Sequence, residues 1–411
     1  MEEAMKKLGL LVMICLVLGI WSVNSEAASF RIGVAVPLTG TFGKDGALVK
    51  DAYTFWAETI NAKGGIASKG QKSPVEFIFY DDQSDPQMSA KLVEKLVKED
   101  KVDLILGGFG SSQVMAASAV SERLKFPMIC GSASSNALFE RKFKYYFSTL
   151  GKATEEVRGV VEVFTMVQPK PKTMAIVGAN IPFTAQACDG YEMYAKKHGF
   201  TIVHKELFPL NLQDYNTLLQ KVKAKNPDVL LVGSHMAVAL RVMKAMKEID
   251  FNPKAVAFSY GPTVPAFAQG LGKDAEYVFA ASEWTPNLPY KDAIFGTAAD
   301  LNKAYHKRFN RYPDYVEVAS IGGALAQQIS IQELGIVPPV KEEDRIKLME
   351  KLHKINIMTS YGQIHFGEDG ANAEHPPVAV QIQGGKLVNV YPREAAEGKP
   401  LYPMPAWGER K

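Results

Sequence analysis

Three residues of this chain have the side-chain types of a hydrolytic triad. Ser111 would be the nucleophile, His235 the base and Asp45 the group that orients the base. Their spacing does not support this chemistry, because the chain has no Gly-x-Ser-x-Gly elbow, no His-Glu-x-x-His zinc helix and no Gly-x-x-x-x-Gly-Lys-Ser/Thr phosphate loop. The Gly-Phe-Gly run at 108–110 lacks the third glycine of a dinucleotide fingerprint. We therefore expect no catalysis and no cofactor.

The first 27 residues have the form of an export signal. Lys6 and Lys7 precede an apolar run at 8–20, and residues 25–27 supply the small residues that signal peptidase accepts. The apolar run is shorter than the roughly 20 residues of a membrane-spanning helix. We therefore predict cleavage near Ala27 and a mature protein that works in the periplasm.

Length, charge and cysteine content narrow the class of protein. The 411 residues are 47% hydrophobic, which suits about two domains with well-packed cores. Lys and Arg number 47 against 44 Asp and Glu, so the formal charge of +3 gives no sign of a nucleic-acid partner. Cys130 and Cys188 remain after the leader is removed, and we expect two buried thiols rather than a disulfide.

The elements that must position the polar residues follow an α/β pattern. Short β-rich runs alternate with amphipathic helical stretches, as in a doubly wound sheet. The pattern restarts near residue 173, where 218–234 restates 96–108 and 255–263 restates 126–134. We predict two lobes of one topology. The predicted strands include 31–36, 75–80, 102–106, 126–130, 173–177, 201–207, 255–258, 363–366 and 378–383, and the predicted helices include 187–198, 299–309 and 315–334.

Two facing sheets of this kind would form one cleft. In open α/β sheets, ligands bind beyond the carboxyl ends of the strands. The late strands at 363–366 and 378–383 need an existing sheet to join, so the chain must cross between the lobes several times. Such crossings form a hinge, and we expect closure around a small ligand.

Several segments carry a family resemblance: Pro-Leu-Thr-Gly at 37–40 with residues 60–66, Asp-Asp-Gln-Ser-Asp-Pro at 81–86, the glycine-rich turn reaching Ser111, Glu-Trp-Thr-Pro at 283–286, and Tyr-Gly-Gln-Ile-His-Phe at 361–366. With them, residues 30–395 resemble the periplasmic substrate-binding proteins of ABC importers, in the branch of the leucine/isoleucine/valine-binding protein.

The resemblance implies a type I periplasmic-binding fold. This fold has two Rossmann-like lobes with parallel central sheets, joined by a three-crossover hinge near Thr149, Ser282 and Met358. The implied bounds are 30–149 plus 285–357 for lobe 1, 150–280 plus 358–392 for lobe 2, and 393–411 for a C-terminal tail.

The resemblance also implies a function and partners. The protein would capture a small carboxylate-bearing ligand by lobe closure and deliver it, as a monomer, to two permease and two ATPase subunits. The alternative is a ligand-sensing clamp, since the same fold serves as the ligand domain of receptors. No apolar span follows residue 392, which favours a free-standing binding protein, although it could present its ligand to a separate receptor.

In the family, the turn that carries Ser111 and the strand end at Ala133 and Ser134 bind the ligand carboxylate through hydroxyls and backbone amides. Helix N-termini suit an anion, because they present unpaired N–H groups and a positive dipole end. The alternative is that both serines only cap helices. The ligand-binding residues implied by the resemblance are Asp45, Phe109, Ser111, Ser112, Ser132, Ala133, Ser134, Phe183, His235, Tyr260, Thr263 and Trp284.

Alternatives stay open for four of these residues. Phe183 either lies over the ligand or packs in the core, and His235 either lines the cleft or is a surface histidine. Asp45 either lines the rim or pairs with Lys44, and Trp284 either caps the cleft or holds the hinge.

One departure from the family bears on the ligand. Amino-acid binders of this group place an acidic residue after the Gly-Pro of the second lobe, where it neutralises the ligand ammonium, whereas here Thr263 follows Gly-Pro. Burying an ammonium group without a counter-charge is costly. An amino acid would therefore need Asp45 or Glu283 as its partner, and an aromatic or aliphatic acid without an amine is the other candidate.

Overall fold

The computed structural model describes residues 28–373 and 376–410, so the predicted signal peptide lies outside the described residues. None of the described helices has the length and apolarity of a membrane span. The strands are β1 (Phe30–Val36), β2 (Ile66–Ser68), β3 (Gln71–Ser73), β4 (Val75–Asp81), β5 (Leu104–Leu106), β6 (Met128–Cys130), β7 (Tyr146–Ser148), β8 (Thr173–Ala179), β9 (Thr201–Phe208), β10 (Val229–Gly233), β11 (Ala255–Phe258), β12 (Phe279–Ser282), β13 (Lys291–Asp292), β14 (Gly296–Thr297), β15 (Ile357–Met358), β16 (Gln363–Ile364), β17 (Val378–Gln383) and β18 (Lys386–Tyr391). The α-helices are α1 (Gly43–Asn61), α2 (Pro86–Lys98), α3 (Ser111–Arg123), α4 (Asn136–Glu140), α5 (Ala153–Glu156), α6 (Arg158–Val163), α7 (Pro182–Lys197), α8 (Tyr215–Lys223), α9 (Met236–Glu248), α10 (Pro265–Leu271), α11 (Ala298–Phe309), α12 (Tyr315–Leu334) and α13 (Glu342–Leu352).

Two large sheets define the two lobes. Lobe 1 is built on the sheet β4-β1-β5-β6-β7, in which all neighbours are parallel. Lobe 2 is built on the sheet β18-β17-β12-β11-β10-β8-β9, which is parallel from β9 to β12. At its edge β17 runs antiparallel to β12, and a hairpin of two glycines then returns the chain as β18, antiparallel to β17. The predicted α/β fold class is confirmed, with this antiparallel edge as an addition.

The predicted strand at 363–366 is wrong in length and in partner. Only β16 forms, and it pairs with β15 in a separate two-stranded ribbon. The reason is the side chain of Asn372, whose amide nitrogen donates to the carbonyl of Gln363 and whose oxygen accepts from the amide of His365. These bonds occupy backbone groups that a sheet neighbour would otherwise pair with. The predicted strand at 378–383 joins lobe 2 as β17.

Helix α12 is buried along nearly its whole length and supports the cleft from the side of lobe 1. It begins with a capping box between Asp314 and Glu317 and ends at Gly335, which has φ 67°. The loop after β6 touches its backbone, because a Cβ atom on Gly131 would lie 2.3 Å from the amide nitrogen of Ser320. Glycine at 131 therefore permits this approach.

Buried hydrogen bonds join the three chain segments that pass between the lobes. One carboxylate oxygen of Glu283 accepts from the amide of Gly151 (3.1 Å), and the other lies 2.5 Å from the Tyr361 hydroxyl. The indole nitrogen of Trp284 donates to the carbonyl of Ser360 (2.9 Å). We call this set the hinge cluster. Of the two alternatives for Trp284, the structure supports the one in which it holds the hinge.

Cys130 in β6 and Cys188 in α7 are free and buried, which confirms the expectation of two buried thiols. Burial raises the pKa of Cys130 to about 11 and that of Cys188 to about 12, so both thiols remain protonated at neutral pH.

Candidate ligand-binding site

A pocket between the lobes collects side chains from the strand ends of both sheets. About 280 Å³ of empty space, which includes open solvent, lies between its walls. This position, beyond the carboxyl ends of parallel strands, is the one expected for a ligand site in this fold class. The residues that line it are Phe109, Ser111, Ser132, Ala133, Ser134, Leu150, Glu156, Phe183, His235, Tyr260, Tyr315 and Val316.

Ser111 stands at the first position of α3, where helix amides lack partners within the helix. Its hydroxyl oxygen accepts from the amide of Ser135 (3.1 Å), so the hydroxyl proton points away from that amide. The capping alternative is wrong for both serines. Gly110 holds the N-cap position of α3, and Ser135, not Ser134, holds that of α4; neither helix has a side-chain cap bond.

Other polar groups in this region hold the turn after β6. The Ser132 hydroxyl donates to the carbonyl of Gly108, and the carbonyl of Ala133 accepts from the Ser148 hydroxyl (3.2 Å). The carbonyl of Ser134 accepts from the amide of Ala153 (2.8 Å). The Ser132 hydroxyl and the carbonyls of Ala133 and Ser134 are therefore bonded within the protein. These hydrogen bonds fix the turn that presents Ser134.

His235 lies at the centre of an aromatic cluster contributed by both lobes. Its ring centroid is 4.8 Å from that of Phe42 and 5.7 Å from that of Phe109 in lobe 1. In lobe 2 the corresponding distances are 5.2 Å to Phe183 and 6.2 Å to Tyr260. Burial lowers the pKa of His235 to about 3, so the imidazole is neutral, and its Nδ1 has no hydrogen-bond partner. The surface-histidine alternative is therefore wrong.

Phe183 belongs to α7, which begins five residues earlier than predicted. The helix starts at Pro182 rather than at residue 187, and proline favours the first helical position since its missing N–H would have no partner there. Phe183 thus lies in the first turn, where its ring lines the pocket and contacts His235.

Glu156 is the most important pocket residue that the sequence analysis missed. It belongs to the short helix α5, is buried, and has an Oε1 atom without a hydrogen-bond partner. Burial and the negative charge of Glu283 raise the pKa of Glu156 well above its ordinary value. The raised pKa favours the neutral form of the carboxyl group, which can donate a hydrogen bond. Leu150, Tyr315 and Val316 were also missed, and no sequence motif marks any of the four.

Four predicted residues do not line the pocket: Asp45, Ser112, Thr263 and Trp284. Trp284 belongs to the hinge cluster, and Ser112 lies half-buried beside Ser111. Asp45 is only 2% exposed and does not line the pocket, and the charge of the exposed Lys44 acts to lower the pKa of Asp45 without a salt bridge within the described ranges.

Asp45 instead approaches a second buried carboxylate, that of Asp314. Burial and the charge of Asp314 raise the pKa of Asp45 to about 8, and burial raises that of Asp314 to about 6. Hydrogen bonding by the hydroxyls of Thr263 and Tyr260 opposes the rise in the pKa of Asp314. We call these four residues the acidic cluster.

Comparison with known proteins agrees with this fold and site. Residues 29–386 match the family model for periplasmic binding proteins. Leu/Ile/Val-binding protein homolog 8 of Brucella abortus is 25% identical over 400 residues, which cover 92% of this chain and 94% of the relative. These matches confirm the resemblance that the sequence indicated.

Solved structures share the fold at lower identity. The branched-chain amino acid substrate-binding protein LivJ of Streptococcus pneumoniae, in complex with isoleucine, has a TM-score of 0.75 at 17% identity, covering 91% of this chain and all of LivJ. A solute-binding protein of R. palustris, in complex with benzoate, has a TM-score of 0.74 at 16% identity, covering 90% of this chain and all of the other. The periplasmic binding protein family is a family of extracytoplasmic binding proteins. With its family model matched over nearly the whole described length, the chain belongs to the periplasmic binding protein family.

Proposed function

We propose that the protein is the substrate-binding component of an ABC importer, which captures a small carboxylate-bearing ligand between its lobes. The observation that carries this proposal is the composition of the pocket. Lobe 1 contributes Ser111 and Ser134, and lobe 2 contributes Phe183 and His235. Neither lobe alone provides both walls, so a ligand that contacts both stabilises the closed arrangement.

The serine side of the pocket suits a carboxylate. It combines the Ser111 hydroxyl, the N-terminal amides of α3 and the neutral carboxyl of Glu156. All of these are hydrogen-bond donors, and none of the described residues that line the pocket has a cationic side chain. An anionic ligand would therefore be held by dipoles and hydrogen bonds. Bonds of this kind to a charged group contribute about 1.5–3 kcal/mol each.

The opposite wall suits an apolar body. Phe109, Phe183 and the neutral ring of His235 form a surface on which an aromatic or branched aliphatic group can pack. Isoleucine and benzoate, found with the two solved relatives, share this plan of a carboxylate joined to an apolar group.

The site does not have the arrangement of a hydrolase. No hydrogen bond in the described part of the chain joins Ser111 to His235, and the pKa of His235 near 3 makes it a poor base at neutral pH. Asp45 lies beside Asp314 rather than orienting the imidazole. We therefore propose binding without catalysis, in the periplasm, by a monomer that docks on two permease and two ATPase subunits.

Motion between the lobes completes the proposed cycle. We propose that lobe 1 comprises 30–149 plus 285–357, that lobe 2 comprises 150–280 plus 358–392, and that 393–411 forms a tail. The ligand would first contact the serines of lobe 1, after which lobe 2 would close with Phe183, His235 and Tyr260. The closed form would then dock on the permease.

A thermal-shift panel tests this function directly, because a ligand that binds the native state raises the melting temperature. The panel pairs leucine, isoleucine, benzoate and 4-methylpentanoate with the carboxamide of each. We expect at least one acid to stabilise the protein while its amide does not. Amides that stabilise as strongly as their acids would show that the carboxylate assignment is wrong.

A further inference from the structure

One polar side chain of lobe 2 reaches directly into lobe 1 beside the pocket. Gln186 lies on α7, the helix between strands β8 and β9 of the lobe 2 sheet. Its Oε1 atom accepts two hydrogen bonds, one from the Ser135 hydroxyl (2.7 Å) and one from the backbone amide of Asn136 (2.6 Å). Both donors belong to the segment between β6 and β7 of the lobe 1 sheet. The two bonds therefore cross from one lobe to the other.

The bonds to Gln186 satisfy groups at the start of α4. Ser135 is the N-cap residue of this helix, and its side chain makes no capping bond. Asn136 holds the first helical position, where an amide has no carbonyl partner within the helix. Gln186 thus provides an acceptor for both groups from the opposite lobe. Separation of the lobes would withdraw this acceptor and leave both donors to water.

Gln186 stands directly behind the wall of the pocket. Residues three apart lie on the same face of a helix, so α7 presents Phe183 to the pocket and Gln186 to lobe 1 beside it. On the side of lobe 1, the amide of Ser135 donates to the hydroxyl of Ser111, which lines the pocket (3.1 Å). Gln186 is not among the described residues that line the pocket. It therefore joins two pocket walls without forming part of either.

A second contact at the same place brings a third helix to this junction. The side-chain nitrogen of Asn136 donates to the hydroxyl of Thr154 on α5, the helix that also carries Glu156 (3.0 Å). Helix α5 packs closely on α7, because a Cβ atom on Gly190 would lie 2.5 Å from the carbonyl oxygen of Thr154. Helices α4, α5 and α7 thus meet beside the pocket, and Gln186 lies at the point where they meet.

We propose that Gln186 is an inter-lobe latch, a positioning residue that holds α7 against α4 in the closed protein and so raises the affinity for every ligand without contacting any of them. The inference rests on the proposed function and adds a residue outside the pocket to it. A hydrogen bond between uncharged groups requires its heavy atoms to lie within about 3.2 Å, so this contact forms only when the lobes have closed. The latch therefore stabilises the closed complex and leaves the first encounter of the ligand with lobe 1 unchanged.

Gln186→Met tests the latch, because methionine keeps the length of the side chain and removes the acceptor. Isothermal titration calorimetry compares wild type and variant with leucine, isoleucine, benzoate and 4-methylpentanoate. The loss of two hydrogen bonds should weaken binding about 5- to 150-fold. The factor should be the same for every acid that binds, since all of them share one closing step. An unchanged affinity would overturn the latch but leave the proposed function in place, whereas no binding of any of the four acids to wild type would overturn both.

Binding kinetics show which step the latch affects. In stopped-flow fluorescence, Gln186→Met should raise the dissociation rate by the same factor as the dissociation constant. The association rate should stay within about twofold of wild type, because the first encounter does not involve Gln186. A loss of affinity that arises from slower association would contradict the proposal.

Two further variants test whether the effect belongs to the contact between the lobes. Asp189→Ala is the matched control, since its carboxylate also projects from α7 but accepts from Lys205 within lobe 2 (2.6 Å), and it should bind normally. Ser135→Ala removes one of the two donors, so it should weaken binding less than Gln186→Met. The double variant should lose no more affinity than Gln186→Met alone, whereas additive losses would show that the two residues act separately and would overturn the proposal.

Stability of the ligand-free protein separates the latch from a structural role. Because the contact forms on closure, Gln186→Met should lower the free energy of unfolding in urea no more than Asp189→Ala does. A larger loss of stability with unchanged affinity would show that Gln186 only supports the fold. Losses of affinity that differ by more than about threefold between the acids would show that Gln186 contacts the ligand, and either result would overturn the latch.

Discussion

The Ser111 hydroxyl provides the sharpest test of the carboxylate end of the pocket. Its oxygen accepts from the amide of Ser135 (3.1 Å), which leaves its single proton for another acceptor. Ser111→Ala removes a donor to a charged group, a loss of about 1.5–3 kcal/mol. We therefore expect the dissociation constant for the tightest-binding acid to rise about 10- to 150-fold.

The same substitution leaves the Ser135 amide without its partner, so a modest loss of stability, about 1 kcal/mol, should accompany the loss of affinity. Ser121→Ala is the matched control. Ser121 lies on the same helix, is buried, and donates to the carbonyl of Phe126 rather than lining the pocket. It should lose a similar amount of stability while binding the ligand normally.

Isothermal titration calorimetry of wild type and both variants, with the acid and its carboxamide, separates the two effects. If Ser111 contacts the carboxylate, Ser111→Ala should cost the acid more affinity than it costs the amide. A change of less than twofold for the acid, about 0.4 kcal/mol, would show that Ser111 doesn't bind the ligand.

Three further predictions concern other parts of the molecule. Phe183→Ala should weaken binding by about 1–2 kcal/mol, or 5- to 30-fold, because it removes an aromatic wall of the pocket, and calorimetry giving an unchanged affinity would place Phe183 in the core instead. Burial and the charge of Glu283 raise the pKa of Glu156, so its carboxyl is a neutral donor below that raised pKa and an ionised, repelling group above it; the affinity for an acid should fall as the pH rises through this pKa, and Glu156→Gln should remove this fall in a calorimetric pH series. Gly131→Ala should lower the free energy of unfolding by about 1–3 kcal/mol, since its Cβ would meet the backbone of Ser320, whereas Gly408→Ala, with open space around it, should be neutral by urea denaturation.

Local signals explain which elements could be predicted from the sequence. Helix α12 was predicted to the residue, because Asp314 marks its start and Gly335 marks its end. The strand at 363–366 could not be predicted correctly, since the side chain of Asn372 takes bonds that a strand neighbour would have formed. This competition for backbone hydrogen bonds depends on a side chain in a loop several residues away. It leaves no periodic pattern in the sequence of the strand.

The candidate site also combines residues that the sequence could indicate with residues that it could not. Ser111 and His235 lie in or just after the turns that follow β5 and β10, so the rule that ligands bind at strand ends could find them. Glu156 and Tyr315 enter the pocket from helices that the sequence does not connect with a strand end. Asp45 was named as a possible ammonium partner, but Asp314 was not, because only the packing of α1 against α12 brings the two carboxylates together.

The hinge cluster determines how this molecule can deform. Glu283 holds Gly151 and Tyr361, and Trp284 holds Ser360, so the three connecting segments are fastened to one another. Bending all three together leaves these bonds intact, whereas twisting one lobe against the other would shear them, at about 0.5–1.5 kcal/mol for each bond lost. We therefore expect the joint to resist torsion more than flexion. The ligand-driven closure proposed above would then follow a single angle, and a transporter could distinguish a loaded from an empty protein by that angle alone.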